Sequence, residues 1–175
     1  MKSKFLIFTL SVFFISMCVS SFSQPVAKYK AKRDMEAYRY EIECVGIGVQ
    51  GTYLIKVWTY SKKPKVAIMQ SKKNAVHGVI FKGFAGGGQG CTSQKALANN
   101  PAIEEEKAEF FDGFFDDRGG FNRYVAVSND GALDSGDVLK VGKEYKIGVV
   151  VSVMKDDLRK ELEAAGIVRG LDSGF

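Results

Sequence analysis

The sequence contains a single histidine, His77, and this scarcity limits the chemistry that the chain can carry. Zinc sites draw heavily on histidine, and a Ser–His–Asp triad needs a histidine beside its nucleophile. We therefore expect neither a histidine-rich zinc site nor a triad with several possible partners. At 100° per residue, His77 falls on the polar side of a predicted helix, beside Lys73 and Asn74, and this position predicts a solvated surface side chain.

A hydrophobic run long enough to span a membrane is missing from the N-terminal region. The apolar run from Phe5 to Val19 has 15 residues, whereas a transmembrane helix needs about 20. Two lysines precede the run and serines follow it, which is typical of a signal peptide, residues 1–23, that is cleaved after Ser23. The alternative is a lipoprotein signal with acylation at Cys18. Both interpretations predict an exported protein of the periplasm or the outer-membrane periphery.

Cysteine is also scarce, with three in the whole chain. Cleavage of the signal would leave Cys44 and Cys91. In an oxidising compartment a lone pair of cysteines is a candidate disulfide. The alternative is that Cys44 is simply a small buried apolar residue.

The formal net charge of +5 comes partly from a short arm, residues 24–35, which follows the predicted cleavage site. Its basic residues are Lys28, Lys30, Lys32 and Arg33. Outside the cytoplasm such an arm fits an anionic membrane surface better than nucleic acid. The alternative is a flexible, solvated terminus without a partner.

Hydrophobic periodicity predicts an α+β fold. The predicted strands are Tyr38–Cys44, Thr52–Tyr60, Phe121–Ser128, Asp137–Val141 and Tyr145–Val153, and the predicted helices are Pro64–Lys82, Ile103–Phe111 and one that begins near Asp156. Thr52–Tyr60 has apolar side chains on both faces, which indicates an interior strand. We expect a single domain, residues 36–168, with a mainly antiparallel sheet packed with two or three helices. A flexible tail, residues 169–175, would follow.

Two glycine-rich segments look like nucleotide-binding motifs but lack the required context. Gly46, Gly48 and Gly51 match GxGxxG, yet they precede a strand where a dinucleotide fold needs a helix, so a glycine-rich hairpin or a bulge is predicted. The segment Gly83–Gly90 lacks the lysine of a phosphate loop and follows a helix, so it is predicted to be a mobile or functional connection. We predict no catalytic residue, metal site or cofactor.

The strand Glu144–Val153, followed by the helical segment Asp156–Leu162, resembles a strand–helix unit of flagellar assembly protein T and related small outer-membrane lipoproteins. In those proteins a helix like Pro64–Lys82 precedes the strands. The whole chain is also similar to small exported proteins of Gram-negative bacteria. The resemblance implies a non-enzymatic accessory of an envelope assembly.

Two groups of apolar side chains are candidates for binding a partner. They are Leu54, Trp58 and Tyr60 on one strand face, and Phe110, Phe111, Phe114 and Phe115 in an acidic helical segment. The alternative for the phenylalanines is packing in the core. We predict a non-enzymatic exported protein that binds another envelope protein or the membrane surface.

A second functional hypothesis remains open. The chain would then be an exported small-ligand-binding protein or a hydrolase that uses the Gly83–Gly90 segment. Asp112 and Asp116 would supply an acid–base pair, provided that burial separated their pKa values.

Overall fold

A computed structural model describes residues 39–46, 48–87, 90–128 and 132–170. The predicted signal peptide, the basic arm and residues 171–175 of the predicted tail lie outside the described residues. The strands are β1 (Tyr40–Gly46), β2 (Tyr53–Ser61), β3 (Val125–Val127), β4 (Val138–Val141) and β5 (Glu144–Val153). The helices are α1 (Pro64–Phe81), α2 (Ile103–Glu106), α3 (Ala108–Phe114) and α4 (Lys155–Ala164).

The described strands form one antiparallel sheet in the order β1-β2-β5-β3, with β4 also paired to β5. Strands β3 and β4 share one edge of β5, because Val125 lies opposite Val153 and Val138 lies opposite Ile147. Strand β2 lies between β1 and β5, as its two apolar faces predicted. The predicted α+β class with a mainly antiparallel sheet is confirmed.

Helix α1 packs against one face of this sheet, called the inner face here. The buried inner-face side chains alternate along the strands and are Tyr40, Ile55, Val57, Thr59, Ile147, Val149, Val151 and Val153. Full burial of a valine or isoleucine side chain contributes about 1.5–3 kcal/mol. Gly78 lets α1 approach β1 closely, since a Cβ at this position would lie 3.2 Å from the Tyr40 ring and would overlap Ile42. The inner face therefore holds the core.

The C-terminal half of α1 is also covered on the side away from the sheet. The Phe111 ring packs 5.0 Å from that of Phe81. A following loop donates two backbone hydrogen bonds to the carbonyls of Val79 and Ile80, at 3.1 and 2.9 Å, and so caps the helix end. His77 is 4% exposed, so its predicted solvated position is wrong. The prediction from helical periodicity assumes that one face of the helix is covered and the other is solvated. Here a second layer of residues also covers the face that was predicted to be solvated.

Two predicted elements differ from the structure for related reasons. The predicted helix Ile103–Phe111 is broken at Lys107 into α2 and α3. The predicted strand Phe121–Ser128 begins as a 3-10 turn, Gly120–Tyr124, before β3. The rings of Phe81, Phe111, Phe114 and Phe115 pack on one another and are called the aromatic cluster here. In a 3-10 turn residues i and i+3 share one side, so Phe121 and Tyr124 both reach this cluster and are buried. Long-range packing thus overrides the local pattern.

The glycine-rich segments belong to a hairpin and to a cross-linked loop. Gly51 has a φ of +81° in the connection between β1 and β2, which confirms the predicted hairpin. The loop after α1 is held by a pair of backbone hydrogen bonds between Phe84 and Gln94, each 2.9 Å long. The predicted disulfide between Cys44 and Cys91 is present, with Cα atoms 5.9 Å apart, and ties this loop to β1.

Breaking this disulfide should destabilise the fold strongly. Its cysteines are 47 residues apart, and loop-closure entropy predicts that reduction lowers the free energy of unfolding by about 4 kcal/mol. Urea unfolding with and without reductant measures the change. A Cys44→Ala/Cys91→Ala variant should match the reduced protein and should not respond to reductant. Equal stability of the oxidised and reduced wild type would contradict the prediction.

Candidate functional site

The face of the sheet opposite α1, called the outer sheet face here, carries aromatic and charged side chains. Strand periodicity places alternate residues there. They are Glu41 and Glu43 on β1, Leu54, Lys56, Trp58 and Tyr60 on β2, Leu139 on β4, and Lys146, Gly148 and Val150 on β5. Lys56, Trp58 and Tyr60 are half-buried, and Leu139 is 46% exposed. This face includes the predicted partner-binding residues of β2.

Trp58 lies at the centre of the outer sheet face and is fixed there by its neighbours. It pairs with Gly148 on β5. A Cβ at Gly148 would come within 3.0–3.1 Å of three carbons of the indole, so the glycine makes room for the ring. The indole Nε1 donates a hydrogen bond of 2.8 Å to Glu43. These contacts therefore fix the position of the ring.

Ion pairs surround this tryptophan. Lys146 Nζ lies 2.7 Å from Glu41 Oε2, and Lys56 Nζ lies 2.7 Å from Asp137 Oδ1. The two ammonium groups are 5.3 and 5.5 Å from the centre of the Trp58 ring, within the range of cation–π attraction. The hydrogen bond between Lys146 and Glu41 raises the pKa of the lysine and lowers that of the carboxyl. The pair formed by Lys146 and Glu41 therefore keeps its charges at neutral pH.

A cavity of about 330 Å³ lies at one end of this face. It is lined by Arg39, Tyr40, Glu41, Tyr60, Val141 and Glu144. Arg39 forms an ion pair with Glu144, and its guanidinium lies 4.4 Å from the centre of the Tyr60 ring. Aromatic, apolar and paired charged groups thus meet in one concave surface.

A second polar cluster lies inside the fold, around His77. Its Nδ1 is 2.5 Å from the Tyr40 hydroxyl, and its Nε2 is 3.1 Å from Glu104 Oε1. An ionised carboxylate accepts, so we assign the proton to Nε2, and Nδ1 then accepts from the Tyr40 hydroxyl. Burial lowers the pKa of His77, although the hydrogen bond with Glu104 opposes the shift. The neutral imidazole joins β1, α1 and α2 by two hydrogen bonds.

The predicted phenylalanine group lies mostly inside the structure. Phe111, Phe114 and Phe115 are 4–6% exposed, whereas Phe110 is half-buried and stacks on Phe114 with ring centres 5.4 Å apart. Their predicted role in binding a partner stays a prediction. Phe110 is therefore more accessible to solvent than the other three phenylalanines.

The residues of the hydrolase hypothesis are exposed. Asp112 and Asp116 both lie at the surface, at α3 and just after it. Within the described ranges, no group of three or more histidine, cysteine or acidic side chains is arranged to hold a metal ion. None of the helices in the described part of the chain has the length and apolar character needed to cross a bilayer.

The chain matches no protein-family model, no curated protein and no solved structure. The resemblance to flagellar assembly protein T and related lipoproteins therefore stays a prediction. The candidate site is therefore assigned from the geometry of its residues alone.

Sequence patterns identified part of the outer sheet face and missed the rest. Trp58 and Tyr60 were found from their shared side of β2. Lys146 and Gly148 were missed as neighbours of Trp58, because the register between β2 and β5 joins residues about 90 positions apart. The sequence offered one signal for these neighbours: β2 and β5 have the clearest alternation, and pairing them in register would have placed Gly148 and Lys146 close to Trp58.

Replacing Gly148 with alanine should displace the Trp58 ring. The added Cβ would be 3.0–3.1 Å from three ring carbons, so we expect a shift in tryptophan emission and a loss of about 1 kcal/mol in the free energy of unfolding. Trp58 is the chain's one tryptophan, so the emission reports on this site. Gly136→Ala is the matched control, since its Cβ would meet nothing within 4 Å. Unchanged emission in Gly148→Ala would show that the ring is not held there.

The stability of the protein should depend on the protonation of His77. Burial places its folded-state pKa below the unfolded value of about 6.5. The unfolded state therefore binds the proton first, and the free energy of unfolding should fall as the pH drops from about 6.5 through the folded pKa. Urea unfolding of wild type and His77→Gln at several pH values measures the difference in slope. The prediction fails if both proteins show the same pH dependence in this window.

Proposed function

We propose that this protein is an exported, non-catalytic binding protein that contacts another envelope protein through the outer sheet face. The observation that carries this proposal is the arrangement around Trp58: a half-exposed aromatic surface, held in place by Gly148 and Glu43, within a ring of paired charges. Tryptophan, tyrosine and arginine are enriched among the residues that dominate protein–protein binding. A preformed surface also loses little conformational entropy on binding.

Charge balance favours a protein partner over an anionic membrane at this face. The three cations Arg39, Lys56 and Lys146 each pair with a carboxylate, of Glu144, Asp137 and Glu41 respectively. Glu43 adds a further negative charge, engaged by the indole of Trp58. A face without excess positive charge gains little from anionic lipid headgroups. A protein surface with complementary polar groups can pair with such charges while burying the aromatic rings.

The disulfide supports the exported location. Structural disulfides form and persist in oxidising compartments such as the periplasm. The bond between Cys44 and Cys91 fits the location that the signal-like N-terminal sequence predicts.

The hydrolase hypothesis has weaker support. An acid–base pair of aspartates needs burial to separate the pKa values of its members, and Asp112 and Asp116 are exposed. We therefore favour binding over catalysis.

Site-specific photo-crosslinking in intact cells tests the proposal. A photoreactive amino acid replaces Tyr60 or Leu139, which lie on the outer sheet face near Trp58 but are not its partners in the strand pairing. We expect both positions to form the same crosslinked product, because both would face one partner. Mass spectrometry of that product identifies the partner.

Val49 is the matched control, because it is 81% exposed and lies in the hairpin between β1 and β2. The proposal predicts that this position does not form the product seen from Tyr60 and Leu139. Crosslinking from Val49 but from neither outer-face position would refute the choice of surface. The substitution Gly148→Ala should also lower the yield of the crosslinked product from Tyr60 and Leu139, whereas Gly136→Ala should leave the yield unchanged.

A further inference from the structure

A second surface, at one end of the sheet, carries an unbalanced positive charge. Five exposed lysines lie there and are called the lysine end here: Lys62, Lys63, Lys65, Lys140 and Lys143. The first three belong to the connection from β2 into α1, and the other two lie at or beside the turn from β4 to β5. The surface is distinct from the paired charges around Trp58.

Strand register brings these two segments together. Ser61, the last residue of β2, lies opposite Tyr145 of β5. Lys140 of β4 lies opposite the same Tyr145, on its other side. Residues 62–65 follow Ser61 directly, and Lys143 precedes Glu144 in the turn, so all five lysines lie at the same end of the sheet.

Among the described residues, these five lysines have no carboxylate partner, unlike the cations of α4. None of the five forms an ion pair within residues 39–46, 48–87, 90–128 and 132–170. By contrast, Lys155, Arg159 and Lys160 on α4 each pair with an acidic residue of that helix. The first turn of α1 contains no acidic residue that would offset the nearby lysines. Within the described residues, ion pairs therefore do not offset the positive charge of this end.

Exposed apolar side chains accompany the lysines. Val66 and Met69 on the first turns of α1 are 51% and 58% exposed, Val141 of β4 is 48% exposed, and Tyr145 of β5 is 36% exposed. Lysine side chains around accessible aliphatic and tyrosine side chains are typical of surfaces that lie at a lipid interface, where amines reach headgroups and apolar groups enter the acyl boundary.

From this combination we infer that the lysine end docks on an anionic lipid surface, with the lysines at the headgroup phosphates and the exposed apolar side chains toward the acyl chains. The inference does not rest on the protein partner proposed for the outer sheet face, since none of the five lysines lies on that face. Val141 belongs to both surfaces, because it also lines the cavity at the end of the outer sheet face. An acidic protein would match the charge alone. The surrounding Val66, Met69 and Val141 favour a membrane, because they gain from contact with an apolar phase.

Vesicle cosedimentation of the full chain tests this inference. The vesicles contain equal parts of phosphatidylglycerol and phosphatidylcholine, and pure phosphatidylcholine vesicles serve as the neutral comparison. Lys62→Gln/Lys143→Gln should reduce partitioning onto the anionic vesicles by about 25-fold, because two basic side chains leave the lipid surface. Raising the salt concentration should weaken binding of the wild type more than that of this variant.

Lys95→Gln/Lys107→Gln is the matched control. These two lysines are also exposed and form no ion pair in the described part of the chain, but they lie outside the lysine end. The control should bind anionic vesicles within about threefold of the wild type, since its charges are remote from the lipid. All three proteins share the N-terminal segment and should bind neutral vesicles equally. Equal losses in both variants, or no loss in Lys62→Gln/Lys143→Gln, would overturn the inference.

A separate variant tests the apolar part of the surface. Val66→Ser/Met69→Ser should lower binding to anionic vesicles at high salt, where the electrostatic attraction is screened. Unchanged unfolding curves in all variants would show that the fold is intact. If Val66→Ser/Met69→Ser binds like the wild type at every salt concentration, then the side chains do not enter the lipid and the docking geometry is refuted. Crosslinking from Tyr60 should be unaffected by all these lysine substitutions, which separates this surface from the outer sheet face.

Discussion

The packing of α1 on the inner face of β2 and β5 is the constraint on which the rest of the structure depends. Val57 and Val149 face each other across the two strands and are at most 2% exposed, and Val76 and Ile80 of α1 are fully buried. Because strand side chains alternate, covering one face with a helix leaves the intervening residues on the other. The outer sheet face around Trp58 is a direct consequence of how the core is formed.

A second layer then encloses α1 and explains several unusual residues. The aromatic side chains of α3 and the following 3-10 turn pack on the helix away from the sheet, so a polar residue such as His77 becomes buried and must find partners. Tyr40 and Glu104 supply them from two different elements. The disulfide between Cys44 and Cys91 ties the loop leaving α1 to the edge strand β1. These long-range contacts compensate for short helices that have little stability of their own.

Local periodicity predicted most of the elements, and long-range contacts account for the failures. The alternation of β2 and β5 and the apolar spacing of α1 gave nearly correct bounds, because each element buries a face with its own period. His77 was predicted to be exposed because nothing in its own helix indicates that α3 would cover it. Phe121 and Tyr124 read as strand residues, yet their i, i+3 spacing serves a 3-10 turn toward the aromatic cluster. For the same reason Trp58 was identified from β2 alone, whereas Gly148 and Lys146 required the strand register.

Hydroxyl-radical footprinting in intact cells, compared with the purified protein, tests the central claim that the outer sheet face is covered by a partner. Trp58 and Tyr60 report on that face, and Met154, which follows β5 directly and is 38% exposed, serves as an internal reference. We expect oxidation of Trp58 and Tyr60 to fall in cells relative to that of Met154. Equal relative oxidation of all three residues in cells and in purified protein would contradict it.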